Sequence, residues 1–461
     1  MSNVDFEGIV ASQRQYFLSG ATRPMAWRVA QLTALKAMVE ENKDELYDAL
    51  WQDLRRNRYD ADLMDVDYSA KEADYALKHL DDWMKPERVH TPLVMHPGHI
   101  RVRRDPFGVA LIIGAWNEPF MLTLGPLTAA IAGGNTAVVK PSELAAACST
   151  ALARLIPLYL DPQAFAVVEG AVPETTALLE QKWDLIFFTG SPQVGKIIHQ
   201  AAAKNLTPAV LELGGKNPTI VHSSANLRSA ARRIAYSRFI NSGHICTAPD
   251  HVLIWPQVKD EFVNEVKAAI TEFYGEDPKE SPDYGRVIND RNYERLVAFF
   301  GSGRIVAGGV ADPAERYIAP TVLVDVSPES PIMQDEVFGP ILPILEIDSV
   351  EKVIDWVNSH PAPLGLYIFA EDDDVVEQIL EHTESGDAAV NDCSIQPLMP
   401  ELPFGGVGNS GMGKYHGHWG FEAFTNARGV LYHGAALDPG VKYPPYAKNH
   451  AAHEVIEKLM P

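Results

Sequence analysis

An α/β fold with two parallel-sheet domains is what this sequence predicts. From residue 106, apolar runs of four to seven residues alternate with helical stretches, the pattern left by buried strands joined through crossover helices. A second alternation follows Cys246, and 461 residues with 46% apolar side chains exceed one ordinary hydrophobic core.

The first hundred residues read as helices, the stretch at 27–54 among them, with apolar positions three and four apart. GVALIIGAW, FMLTLGPLTAAIA and TAVVK follow, then a helix from Glu143, FAVVEG, LIFFTG and a helix opening around Gln193. In the second region strands are expected at 251–255, 319–326, 341–347 and 366–370. No repeat of solenoid period and no low-complexity tract appears, and KYPPYAKNH reads as a surface tail.

The formal charge of −22, from 61 acidic and 39 basic residues, repels polyanions and argues against a nucleic-acid partner. The one basic cluster, at 101–104, alternates like an exposed strand edge with a solvated face. The chain shows neither a membrane-length apolar run nor a leader pattern, and Cys148, Cys246 and Cys393 are odd in number and far apart. A cytoplasmic protein without disulfides is expected. There is no CxxC pair or HExxH, and His416 and His418 form an isolated His-x-His, so no metal is expected.

Two segments fit one chemistry: LELGGKNP at 211–218 carries Glu212, and NSGHICTAPD at 241–250 carries Cys246. A thiolate attacks carbonyls well but cannot hydrolyse the thioester it forms, so acyl chemistry on Cys246 requires a base, and Glu212 can be that base. A lone cysteine is more often a small buried hydrophobe, which is the expectation for Cys148 and Cys393. Asn117, Lys140 and Gly190 each stand just past an apolar run, which puts them on one rim of a parallel sheet, where ligands bind. The G-x-G-x-x-G match at 406–411 lacks a strand before it and a helix after it. LIFFTGSPQVGK at 185–196 is the better anion site, because a strand there runs into Gly190 and Ser191 and then a helix start.

These segments, together with AWNEP, KPSE, FTGS-x-x-x-G and EVFGP, resemble the aldehyde dehydrogenase superfamily. The resemblance runs to about residue 430. AAAKNLTPAVLELGGKNP and LPFGGVGNSGMGKYHG look most like class 3. It implies a Rossmann-like cofactor domain at 1–86 and 107–213, a catalytic α/β domain at 214–403, an oligomerisation β-hairpin at 87–106 and 425–445, and a tail at 446–461. It implies catalysis by Cys246, Glu212 and Asn117, with Asn117 steadying the oxyanion. It further implies an NAD site, NADP being possible, built from Trp116, Lys140, Glu143, Gly190, Ser191, Gly195, Glu336 and Phe338. The substrate implied is a medium-chain aliphatic or aromatic aldehyde, the assembly a homodimer, and HEVIEKLMP lacks the apolar anchor of some class 3 members. An enzyme acylating coenzyme A and a non-catalytic binding protein on the same fold are the alternatives.

Two positions depart from the family pattern. Glu118 replaces an aromatic and His244 a glutamine, both at the expected substrate tunnel. An unpaired carboxylate there is costly, so Glu118 should contact water, a cationic partner or a polar substrate group; a Glu118–His244 pair that narrows or polarises the tunnel is one expectation for its placement, and a Glu118 that points to solvent is the other. The residues alone favour neither. Ser142 is also expected to cap the helix that begins at Glu143.

Overall fold

The computed structural model describes residues 5–435, 443–445, 454 and 458. The tail expected at 446–461 lies outside the described residues except for Glu454 and Lys458.

The first parallel sheet runs in the order Phe165–Val167, Thr136–Lys140, Val109–Ile113, Leu185–Gly190 and Ala209–Leu213, and Gly411–Met412 closes its far edge antiparallel. Strands 109–113 and 136–140 are buried at every residue, which is why they read as unbroken apolar runs. The chain begins this sheet in the middle, adds two strands on one side and two on the other, and so leaves a switch point between 109–113 and 185–190. Asn117, Lys140 and Gly190 stand on that carboxyl rim.

The helices Met25–Glu41, Lys43–Leu54 and Asp67–Trp83 pack against the crossover helices Met121–Gly133 and Ala146–Tyr159. The stretch at 27–54 is two helices that meet at Asn42. The helix expected from Glu143 starts at Ala146, and Ser142 is not its cap. Asp53 caps it from another helix, accepting from the Ala147 and Cys148 amides at 3.2 and 3.0 Å, while Ser142 accepts from the Leu144 amide within a turn.

A second sheet of seven strands runs in the order Arg304–Ala307, Thr321–Val324, Ile341–Glu346, His251–Ile254, Pro218–Val221, Gly365–Phe369 and Asp387–Val390, parallel except for its first pair. The four strands expected here lie within one or two residues of their expected ends.

A small sheet holds Glu87–Val89, His99–Pro106 and Thr425–Tyr432. Its middle strand carries the basic cluster, which corrects the expectation of a solvated edge. Arg104 pairs with Glu422 and Glu87, and Arg101 lies over the Tyr432 ring, so neighbours within the sheet and beside it answer these charges.

Candidate active site

The Cys246 loop is held by backbone geometry and by buried amides. Asn241, Ser242 and Gly243 all take left-handed φ values of 50, 50 and 75°. A Cβ on Gly243 would lie 2.3 Å from the Gly339 carbonyl oxygen, so only glycine fits there. Asn217 Nδ2 donates to the Cys246 and Ala248 carbonyls at 2.8 and 3.0 Å, and Tyr367 and Ser394 hydroxyls donate to the Thr247 carbonyl. Asn117 Nδ2 donates to the His244 carbonyl at 3.0 Å, and Asn241 donates to the Asn117 carbonyl at 2.8 Å. Asn117 and the loop that carries Cys246 are thereby fixed to each other, with one N–H of the Asn117 amide left over.

Glu212 lies on strand Ala209–Leu213 and is 3% exposed, and neither carboxyl oxygen has a hydrogen-bond partner. By strand alternation it shares its face with Val210, which packs in the same cluster as Phe187, Phe404 and Tyr415, with Trp116 and Cys246 packed against that cluster. Burial pushes its carboxyl well above the usual range; the Lys414 ammonium opposes this and Asp387 adds to it. The 406–411 glycine motif finds its use here. Gly411 pairs with Glu212 across the sheet edge, and a Cβ on neighbouring Gly405 would sit 2.7 Å from Glu212 Oε1. The motif lies beside Glu212.

Burial also raises the Cys246 thiol, followed by the carboxyl groups of Glu118, Glu336 and Glu212 in that order. A protonated thiol in the free protein follows, ready to ionise when positive charge arrives.

Trp116, His244 and Phe338 gather at the cysteine loop, with ring centroids 5.0 Å apart for Trp116 and His244 and 5.3 Å for Trp116 and Phe338. His244 is fully buried with neither ring nitrogen bonded; burial, with Arg295 and Arg238 beyond, lowers it to about 3, so it is neutral and packs as an aromatic. Glu336 rests on the LGGK turn, since a Cβ on Gly214 would meet its Oε2 at 2.0 Å. Lys140 donates to Glu143 at 2.9 Å, and Ser191 caps the helix Pro192–Lys204, which follows the strand Leu185–Gly190 beside the switch point. Gly195 lets that helix close on Leu213, since a Cβ there would meet Leu213 Cδ2 at 2.6 Å.

Both placements expected for Glu118 are corrected. It is 4% exposed, which excludes solvent, and its ionic neighbour is Arg56 at 4.0 Å, with no Glu118–His244 contact among the described residues. Arg56 also pairs with Asp65 at 3.4 Å, and these two side chains are 1% and 0% exposed. Burial pushes Glu118 up to about 8 and Asp65 to about 7, against the pull of Arg56. One guanidinium balances one carboxylate, so near neutrality the second holds its proton.

The aldehyde dehydrogenase family model matches residues 1–430. The chain belongs to the aldehyde dehydrogenase family. It is 44% identical over 447 residues to the mouse "Aldehyde dehydrogenase, dimeric NADP-preferring", covering 96% of this chain and 98% of that one. The human "Aldehyde dehydrogenase family 3 member B1" is 45% identical over 434 residues, covering 94% and 93%. These likenesses put it with the class 3 members of the family. A solved structure of the substrate-bound state of Staphylococcus aureus AldH superimposes with a TM-score of 0.96 at 38% identity, covering 98% of this chain and 99% of that one. An indole-3-acetaldehyde dehydrogenase complexed with NAD+ gives 0.84 at 27% identity, covering 93% and 89%.

Several residues of the site escape sequence reading. Asn217 lies inside LELGGKNP, and its position in that segment was a usable signal. Asn241 and Tyr415 likewise lie inside NSGHICTAPD and LPFGGVGNSGMGKYHG, whereas Arg56 carried no signal, because its contact with Glu118 is made across a long stretch of chain.

Proposed function

We propose that Cys246, Asn117 and Glu212 oxidise an aldehyde to the carboxylic acid with NAD or NADP as oxidant. The observation that carries this reading is a buried glutamate with both oxygens unpartnered, on the sheet face against which a fixed cysteine loop is packed. The Cys246 thiolate adds to the aldehyde carbonyl, and the oxygen that becomes negative is met by the free Asn117 N–H and the Cys246 backbone N–H. When bound, the oxidised nicotinamide supplies a hydride acceptor and a positive charge beside the thiol. Lys140 and Glu143, the Gly190–Ser191 turn, Gly195, Glu336, Trp116 and Phe338 would hold it; the residues fit, since a capped helix start follows the strand at the switch point and the Glu336 carboxyl group is seated on Gly214, just past the neighbouring strand. Loss of hydride leaves a Cys246 thioester. Glu212 takes a proton from water, the hydroxide attacks the thioester, and the acid leaves with the thiolate restored.

The aldehyde arrives through a groove of about 410 Å³ whose lining includes Met64, Ile240 and Ser394 together with the charged Arg232, Arg233 and Asp392. Among the described residues no helix is long and apolar enough to cross a membrane. The three free cysteines fit a cytoplasmic location. The chain forms a homodimer through the small sheet, whose outer strand Thr425–Tyr432 is exposed over most of its length.

A panel of aliphatic and aromatic aldehydes, assayed with NAD and with NADP for the parent and Cys246→Ala, tests the reading. Free acid without added coenzyme A is the expected product, and Cys246→Ala should form none. Acyl-coenzyme A as the only product, or full activity in Cys246→Ala, would overturn it.

A further inference from the structure

The Glu118 carboxyl group has no part in the reaction above, although it follows the oxyanion asparagine directly in the chain. Of its two neighbouring charges, Asp65 is already committed: it accepts from the Met121 amide at 2.6 Å, capping the helix Met121–Gly133, and pairs with Arg56. At 4.0 Å from Arg56, Glu118 is beyond hydrogen-bond reach, and its Oε1 has no hydrogen-bond partner. A buried carboxyl oxygen left this way costs stability, and proteins keep such groups where a ligand completes them.

The position of the group says which ligand. The inner wall of the groove is Met64 and Ile240, which pack against Ile245 and Ala248 on either side of Cys246, and Ser394 joins it by donating to the Thr247 carbonyl at 2.8 Å. Glu118 follows Asn117 in the chain and, among the carboxyl groups, acts most strongly on the Cys246 thiol, which sets it close to the reacting cysteine, while Asp65 follows Met64 of the groove. With Arg56 shared between two carboxyl groups, Glu118 offers a neutral acid, which both donates and accepts. A hydroxyl satisfies such a group; a hydrocarbon chain leaves it unpaired.

We propose that Glu118 is a specificity-determining residue whose carboxyl group hydrogen-bonds a hydroxyl carried by the aldehyde, so that this chain favours hydroxyl-bearing aldehydes over hydrocarbon aldehydes of the same length. The proposal rests on the aldehyde dehydrogenase reading of the site and names the substrate class within it. A site built to bond a substrate hydroxyl rejects the analogue that lacks one, because the protein group is then buried unpaired.

The test compares kcat/KM for hexanal with its ω-hydroxy analogue, and for benzaldehyde with its hydroxybenzaldehydes, in the parent, Glu118→Gln and Glu118→Leu. In the parent the hydroxyl-bearing member of each pair should lead by about tenfold or more. Glu118→Leu should abolish that lead, while Glu118→Gln, whose amide also donates and accepts, should keep most of it. A parent that prefers the hydrocarbon member, an ammonium-bearing aldehyde that outruns both, or equal ratios in the parent and Glu118→Leu would overturn the proposal while leaving the aldehyde dehydrogenase reading intact. If the parent oxidises none of these aldehydes with either cofactor, the activity reading fails and this proposal falls with it.

Discussion

Glu212 sets the pH dependence of the proposed cycle. Burial raises its carboxyl, so the base form is gained only as pH rises, and thioester hydrolysis should climb with pH through neutrality. A kcat profile that is flat from about pH 6 to about pH 9 would contradict this. Glu118 gives a stability counterpart. Its folded-state value of about 8 lies above the unfolded one, so its contribution is fully present in acid and is lost as pH rises through about 8. Glu118→Gln should match the parent's Tm only near about pH 4, below the unfolded value, and exceed it above about pH 9, as measured by thermal melts at both values. At this scale the sequence shows reactive groups better than their partners. Cys246 and Glu212 stand in short, recognisable segments, whereas Arg56 reaches Glu118 across 62 positions and only folding brings them together.

The strand ends and the helix starts hold this site, and these were read unevenly. Strands 109–113, 136–140 and 185–190 were legible because burial on both faces leaves continuous apolar runs. The start of the Ala146 helix was not, because its cap is Asp53 on another element. Asp53→Ala should therefore lower stability by about 1 kcal/mol in denaturant unfolding, whereas Ser142→Ala should leave it nearly unchanged. In the cysteine loop, Gly243→Ala adds a Cβ against the Gly339 carbonyl at a positive φ. The loop must shift, and kcat should fall by about a hundredfold with the fold retained by circular dichroism; unchanged kcat would show that loop geometry does not position the thiol.

The whole molecule joins two parallel sheets, with the proposed chemistry where the cysteine loop of one meets the open rim of the other. That two-sheet plan was legible from alternation alone, while Pro218–Val221, which opens on a proline, and Asp387–Val390, a partly exposed and alanine-rich DAAV, were not, because neither leaves a clear β-branched apolar run. The proposed homodimer should appear in sedimentation equilibrium at micromolar concentration, and a strictly monomeric species would contradict it. The division of labour between thiol and carboxylate is the central claim, and one measurement reaches it most directly: rapid-mixing of Glu212→Gln with aldehyde and oxidised cofactor. One equivalent of NADH or NADPH should form per active site at close to the parent rate, followed by a steady state slowed by about a hundredfold or more as the Cys246 thioester persists. No burst, or a steady state equal to that of the parent, would contradict it.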